Sequence, residues 1–317
     1  MDFYATLGPS CASQETLCSM FRLGMTGARL NLSHVGLADC APMLEDFHAA
    51  AQAAGVVPKL VIDLQGPEEQ VGSLREPLRL EEHAVVRLGE DIPVSERILA
   101  LVEPGDKISL DDSALLLEAE HSGQCKVLQG GILYSKKSLA VLGKATNAPA
   151  LTPEDLRNLD QAAAFGVTGL LQPFVRGRED IEEVRNALEC RSLSHISIMA
   201  KIENRQGLEK LEEIIEATDE ICIARGDLGN AIPLWELPRI QKQIASVCVK
   251  AVKPFCLATQ LLWSMQERPV PTRAEVCDIY NGVLDGASGL MLTGETAVGR
   301  CPERAMEFLV KTAKTAG

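Results

Sequence analysis

The chain reads as an α/β protein, a (β/α)8 TIM barrel with a small β domain inserted after its third strand, and three observations predict this. Eight short apolar runs alternate with longer segments of helical periodicity. The alternation breaks once, across residues 71–147, where the pattern becomes strand-like and rich in turns. Aromatic residues make up 4% of the 317 while hydrophobic ones make up 46%. The core must therefore be built from Leu, Ile, Val and Ala, the residues that fill barrel interiors.

Taken in order, the strand-like runs lie at residues 4–7, 27–31, 60–63, 169–172, 197–201, 221–224, 255–258 and 289–292. Thr152-Pro153-Glu154-Asp155 opens the helix before the fourth run: a Thr cap, Pro at the first helical position, then acids in the first turn. Residues 180–188 and 208–215 carry the i, i+3, i+4 apolar spacing of amphipathic helices. In the interruption, Glu103-Pro104-Gly105-Asp106, Asp111-Asp112 and Gly130-Gly131 punctuate short strands. The expected division is residues 1–70 and 148–317 for the barrel and 71–147 for the inserted domain. An insertion after a barrel strand lies at the face where active sites are built, so it is placed to act as a lid.

That face is where chemistry is to be sought. Arg29 and Asn31 close the second run, and Asp63 the third. Lys201 and Glu203 close the fifth, Asp227 follows the sixth, Thr259 the seventh and Glu295 the eighth. Glu203 and Asp227 offer hard oxygen ligands suited to Mg²⁺ or Mn²⁺. Lys201 and Arg29 bring positive charge to a phosphoryl group. In Ala224-Arg225-Gly226-Asp227 the glycine lets backbone N–H groups approach a carboxylate. A metal, two cations and backbone donors suit a small anion bearing both carboxylate and phosphate.

A formal charge of −13 argues against nucleic acid or an anionic membrane as partner. The ten cysteines form no C-x-x-C pair, and Cys222, Cys248 and Cys256 sit in apolar runs as buried thiols do. The first residues lack the basic start and apolar stretch of a signal peptide, so a cytoplasmic protein is expected.

At these residues the sequence resembles the pyruvate kinase family. The resemblance runs through Ala5-Thr6-Leu7-Gly8-Pro9-Ser10, Gly27-Ala28-Arg29-Leu30-Asn31-Leu32-Ser33-His34 and Met199-Ala200-Lys201-Ile202-Glu203-Asn204. It continues through Ile223-Ala224-Arg225-Gly226-Asp227-Leu228-Gly229, Leu257-Ala258-Thr259-Gln260, Pro271-Thr272-Arg273-Ala274-Glu275 and Met291-Leu292-Thr293-Gly294-Glu295. The resemblance implies phosphoenolpyruvate and ADP as substrates, with pyruvate and ATP as products. Lys201, Arg29 and Thr259 would be catalytic, Thr259 lying beside the enolate methylene. Ala224, Arg225, Gly226 and Asp227 would hold the substrate, and Glu203 with Asp227 the Mg²⁺. Asn31, Ser33, Asp63 and the carbonyl of Leu64 would hold K⁺. His34 and Lys137 would face the nucleotide, with Thr293 and Glu295 behind the direct ligands.

The sequence also departs from that pattern. Where the family has Asp-Thr-Lys-Gly-Pro-Glu-Ile-Arg, it reads Asp63-Leu64-Gln65-Gly66-Pro67-Glu68-Glu69-Gln70, so a Lys becomes Gln65 and an Arg becomes Gln70. Glutamine donates hydrogen bonds without charge, which weakens stabilisation of a transferring phosphoryl group. Pro173 stands where the family has Ser, and Thr293 also replaces a Ser. The sequence ends after the eighth helix, so no effector domain or sugar-phosphate control is expected. These changes keep two alternatives open: a Mg²⁺-dependent 2-oxo acid aldolase or decarboxylase, and a weakened or purely regulatory homologue.

Overall fold

The computed structural model describes residues 1–33, 35–111, 114–144 and 146–316. Eight parallel strands close into a barrel: β1 (Asp2–Thr6), β2 (Gly27–Asn31), β3 (Lys59–Asp63), β4 (Gly169–Gln172), β5 (Ser197–Ile202), β6 (Glu220–Ala224), β7 (Phe255–Ala258) and β8 (Gly289–Leu292). Closure is made by β1 against β8, in register from Asp2 opposite Gly289 to Ala5 opposite Leu292. Alternation along each strand sends one set of side chains inward and the other outward. Tyr4, Met199, Cys222, Ala224, Cys256 and Met291 fill the interior. Their neighbours Ala5, Ile198, Ile221, Ile223, Leu257 and Leu290 pack outward under the helices in the main core.

The helix layer is α1 (Gln14–Leu23), α2 (Ala41–Ala54), α3 (Pro153–Gln161), α4 (Arg178–Glu189), α5 (Leu211–Ala217), α6 (Leu237–Lys250), α7 (Arg273–Leu284) and α8 (Pro302–Lys314). Local chemistry starts them. Ser13 caps α1, accepting from Thr16 N, and Thr272 with Glu275 closes a capping box on α7. The helix expected over 208–215 is instead two pieces, Arg205–Glu209 and α5. Lys210 leaves the helical region at φ −104°, ψ 21°, although the apolar spacing runs on through the break.

Between β3 and α3 the chain forms a second β unit with its own core, which includes Val71, Ile92, Ile108, Leu117 and Val127. Its main sheet is antiparallel, in the order Glu69–Gln70, Ser138–Val141, Lys107–Leu110, Leu115–Ala119, Gln124–Gln129, Val85–Arg87. Leu78–Leu80 pairs separately with Gly131–Leu133. A short helix, Glu96–Leu101, is capped by Ser95 within this stretch, which the sequence reads only as strands and turns.

The point where the chain leaves the barrel is clamped by one buried carboxylate. Asp155, 0% exposed, accepts from the backbone N–H of Gln65 at 2.8 Å, of Gly66 at 3.0 Å and of Thr152 at 2.8 Å. It also accepts from the Thr152 hydroxyl at 2.8 Å. Gly66 is required there. Its φ is +59°, and an added Cβ would stand 2.6 Å from Pro173 Cγ.

Candidate active site

The ends of β2, β3 and β5 bring two cations and two carboxylates together. Arg29 Nε donates to Asp63 Oδ2 at 2.8 Å, its Nη2 lies 2.6 Å from the same oxygen, and its Nη1 donates to Thr6 Oγ1 at 3.1 Å. Lys201 Nζ stands 3.4 Å from both Asp63 oxygens and 2.9 Å from Glu203 Oε1. Asp63 and Glu203 are each 2% exposed, so these ion pairs act with little solvent screening.

Burial shifts both partners. It works against the Lys201 charge, but Asp63 and Glu203 outweigh it and hold the ammonium well above the ordinary lysine range. Glu203 is pushed up to about 7 by burial, which Lys201 only partly offsets and to which Asp227 adds repulsion. Glu203 Oε2 accepts from Phe174 N at 2.9 Å. Its Oε1 makes no hydrogen bond among the described residues. At 2.9 Å the Lys201 ammonium is a charge contact there without hydrogen-bond alignment. A buried carboxylate whose Oε1 meets an ammonium and which is repelled by a second carboxylate fits a hard divalent cation. Among the described residues no three His, Cys, Asp or Glu side chains gather to hold one. Glu203 and Asp227 are thus the two carboxylates that would hold such a cation, which would neutralise the charge of a bound anion.

The next two strand ends are joined by Arg225. Asp227 lies in the first turn of the helix Arg225–Ala231 that follows β6. Its neighbour Gly226 runs close to β7, where an added Cβ would be 3.2 Å from Thr259 Cγ2. Thr259 and Gln260 both have left-handed backbone, φ +77° and +56°. The Arg225 side chain is taken up by Thr259 O and Asp278, which leaves the loop's main chain as its contribution to a ligand.

The remaining sequence-derived residues fall as follows. Asn31 Oδ1 accepts from Ser33 N and Ser33 Oγ, and Asn31 lies opposite Asp63 across β2 and β3. The Leu64 N–H donates to Leu171 O at 3.1 Å. Glu295, 0% exposed, accepts from Leu262 N, Thr293 N and the Thr293 hydroxyl, bracing the ends of β7 and β8. Lys137 pairs with Asp111 inside the β unit at 2.8 Å, and the structure does not bring it into the cluster. His34 lies outside the described residues.

A cleft of about 390 Å³ opens between the β unit and the barrel. Glu203, Asp227 and Phe174 line its barrel side, and the strand Ser138–Val141 lines the other. Gln65 and Gln70 bring no charge to it. Gln65 Oε1 lies 3.5 Å from Thr152 Oγ1, and Gln70 Nε2 donates to Glu68 Oε2 at 3.0 Å. Three residues escape a reading of the sequence: Asp155 at the hinge, Asp278 behind Arg225, and Phe174, whose φ of +51° is rare for a bulky side chain. Asp155 alone leaves a signal, as the third residue of a capping box.

Fold and site together define a (β/α)8 barrel enzyme with a Lys between two carboxylates at the barrel mouth. A family model described as pyruvate kinase, barrel domain, matches residues 2–306. The chain belongs to the pyruvate kinase family. The pyruvate kinase of Aeropyrum pernix is 40% identical over 320 residues, covering 98% of this chain and 70% of that protein. That of Geobacillus stearothermophilus is 36% identical, covering 96% and 54%. That of Thermococcus litoralis is 35% identical, covering 98% and 68%. The chain therefore spans between 54% and 70% of the length of these relatives.

Proposed function

We propose that this chain moves the phosphoryl group of phosphoenolpyruvate to ADP, giving pyruvate and ATP. The observation that carries the reading is Lys201, held between Asp63 and Glu203 at the mouth of a pyruvate kinase barrel. Asp63 orients Arg29 and Lys201 so that both cations face the phosphoryl oxygens. Lys201 then offsets the charge that grows as the phosphoryl group leaves the enolate. Backbone donors of Ala224, Arg225, Gly226 and Asp227 receive the substrate carboxylate, and Thr259 lies on the side where the enolate carbon takes up a proton. The segment 71–147 acts as the lid that excludes water.

Mg²⁺ or Mn²⁺ on Glu203 and Asp227, together with K⁺ on Asn31, Ser33, Asp63 and the Leu64 carbonyl, would neutralise phosphate and enolate charge when bound. All of these donors are oxygens, the chemistry such cations select. We infer a cytoplasmic protein from the phosphorylated substrates proposed. Among the described residues no helix is long and apolar enough to cross a membrane. The neutral Gln65 and Gln70 favour one second reading, the same enolate site with slow transfer to nucleotide.

The test is pyruvate release from phosphoenolpyruvate and ADP, followed with and without Mg²⁺ and K⁺. Turnover that stops when Mg²⁺ is chelated supports the proposal. Binding of an enolate analogue with no pyruvate formed under any of these conditions removes phosphoryl transfer.

A further inference from the structure

Two consecutive non-glycine residues at the end of β7 have left-handed backbone, Thr259 at φ +77° and Gln260 at φ +56°. Left-handed backbone is strained for any residue with a side chain, and a β-branched Thr is a pronounced outlier there. A turn of this kind persists only where its surroundings over-determine it.

One side chain does so. Arg225 points Nε and Nη2 at the same acceptor, Thr259 O, at 3.1 and 2.7 Å. Its Nη1 donates to Asp278 Oδ2 at 2.6 Å, from helix α7. The Arg225 side chain is 10% exposed. Its planar fork makes these three bonds without bending, which a lysine ammonium cannot do. The main chain of Arg225 meanwhile opens the turn that carries Asp227. Gly226, between them, leaves room for Thr259, since a Cβ there would press on its methyl at 3.2 Å. One residue thus belongs by its backbone to the carboxylate-bearing turn and by its side chain to the Thr259 turn.

We propose that Arg225 is a positioning residue, fixed by Asp278, which sets Thr259 against the Asp227 turn and so places the group beside the enolate carbon. The inference rests on the enolate reading above and adds a residue that acts through another. An ordinary structural ion pair in this place would support the fold equally well, but it would leave proton transfer at the enolate carbon no more sensitive than any other step.

The experiment uses Arg225→Lys and Asp278→Asn in the full chain with Mg²⁺ and K⁺. Exchange of pyruvate methyl protons with D₂O is followed by NMR: a proton leaves C3, its electron pair forms the enolate, and a solvent deuteron returns to C3. Turnover with phosphoenolpyruvate and ADP, KM for ADP and the thermal midpoint are measured on the same samples. Both variants are expected to slow exchange and kcat about 10- to 100-fold, with KM for ADP changed less than about twofold and the midpoint close to wild type. Asp278→Asn retains Arg225 and weakens only its anchor, so it reports even where Arg225→Lys folds poorly. Wild-type exchange in both variants overturns the proposal, as do losses that merely follow the folded fraction. Wild-type protein that exchanges protons without making ATP contradicts the kinase reading while exchange still judges Arg225. Wild-type protein that neither exchanges protons nor makes ATP overturns both, and one that makes ATP without exchange overturns the Arg225 proposal alone.

Discussion

Lys201 Nζ stands 2.9 Å from Glu203 Oε1. Two residues apart at the end of one strand, the pair faces the same way because side chains alternate with a period of two. The contact leaves Oε1 without an aligned hydrogen bond among the described residues, and this supports the proposal that Glu203 is a metal ligand. Glu203→Gln keeps an acceptor for Phe174 N and removes the charge. It is expected to weaken Mn²⁺ binding, read by calorimetry, about tenfold or more while the protein stays folded. Unchanged Mn²⁺ affinity would take Glu203 out of the metal site.

Gln70 tests the charge that is missing relative to the family pattern. Its amide donates to Glu68, and an arginine there would restore that charge. Gln70→Arg is expected to raise kcat/KM for ADP several-fold. A rate equal to wild type would mean that another group already supplies the charge.

Asp155 tests the hinge. Replacing it with Ala leaves three backbone N–H groups and the Thr152 hydroxyl without their acceptor. The expected loss is about 2–4 kcal/mol in urea unfolding, together with slower turnover from a lid that sits less firmly. A loss below about 0.5 kcal/mol would show that water replaces the carboxylate without cost.

Glu220 sets a pH dependence at the opposite end of the barrel. Burial, opposed by Lys59 and reinforced by Asp2, pushes its carboxyl from 4.5 up to about 7. A raised carboxylate favours the fold while protonated in the native state. Its contribution is therefore complete below pH 4.5 and is lost as the pH rises through about 7. Glu220→Gln is expected to flatten stability over that window, by on the order of 1–2 kcal/mol for a part-exposed group. An unchanged slope in melting experiments between pH 4.5 and 7 would exclude Glu220 as its source.

Much of the site was legible because a barrel turns sequence order into position: Lys201, Glu203 and Asp227 close neighbouring strands, so they must share a mouth. The buried thiols Cys222, Cys248 and Cys256 follow equally from their apolar runs. Other features leave no such trace. Leu208, Leu211, Ile214 and Ile215 keep helical spacing across Lys210, so periodicity hides the break at that residue. The helix Glu96–Leu101 has six residues, too few for a repeating pattern. Sequence places Arg225 in the substrate loop by its main chain, whereas its rotamer, turned to Thr259 and Asp278, is a matter of packing alone. Positive φ at Phe174 and Thr259 is equally silent, because neither residue type announces it.

Lys201 is proposed to serve phosphoryl transfer from enolpyruvate to ADP. This role is tested most directly by ³¹P NMR of phosphoenolpyruvate and ADP with Mg²⁺ and K⁺, using wild type beside Lys201→Met. The enol phosphate signal is expected to fall and the γ-phosphate of ATP to rise with wild type only, the variant being slower by about 10³-fold or more. ATP formed at equal rates by both proteins, or by neither while the enolate analogue still binds, would contradict it.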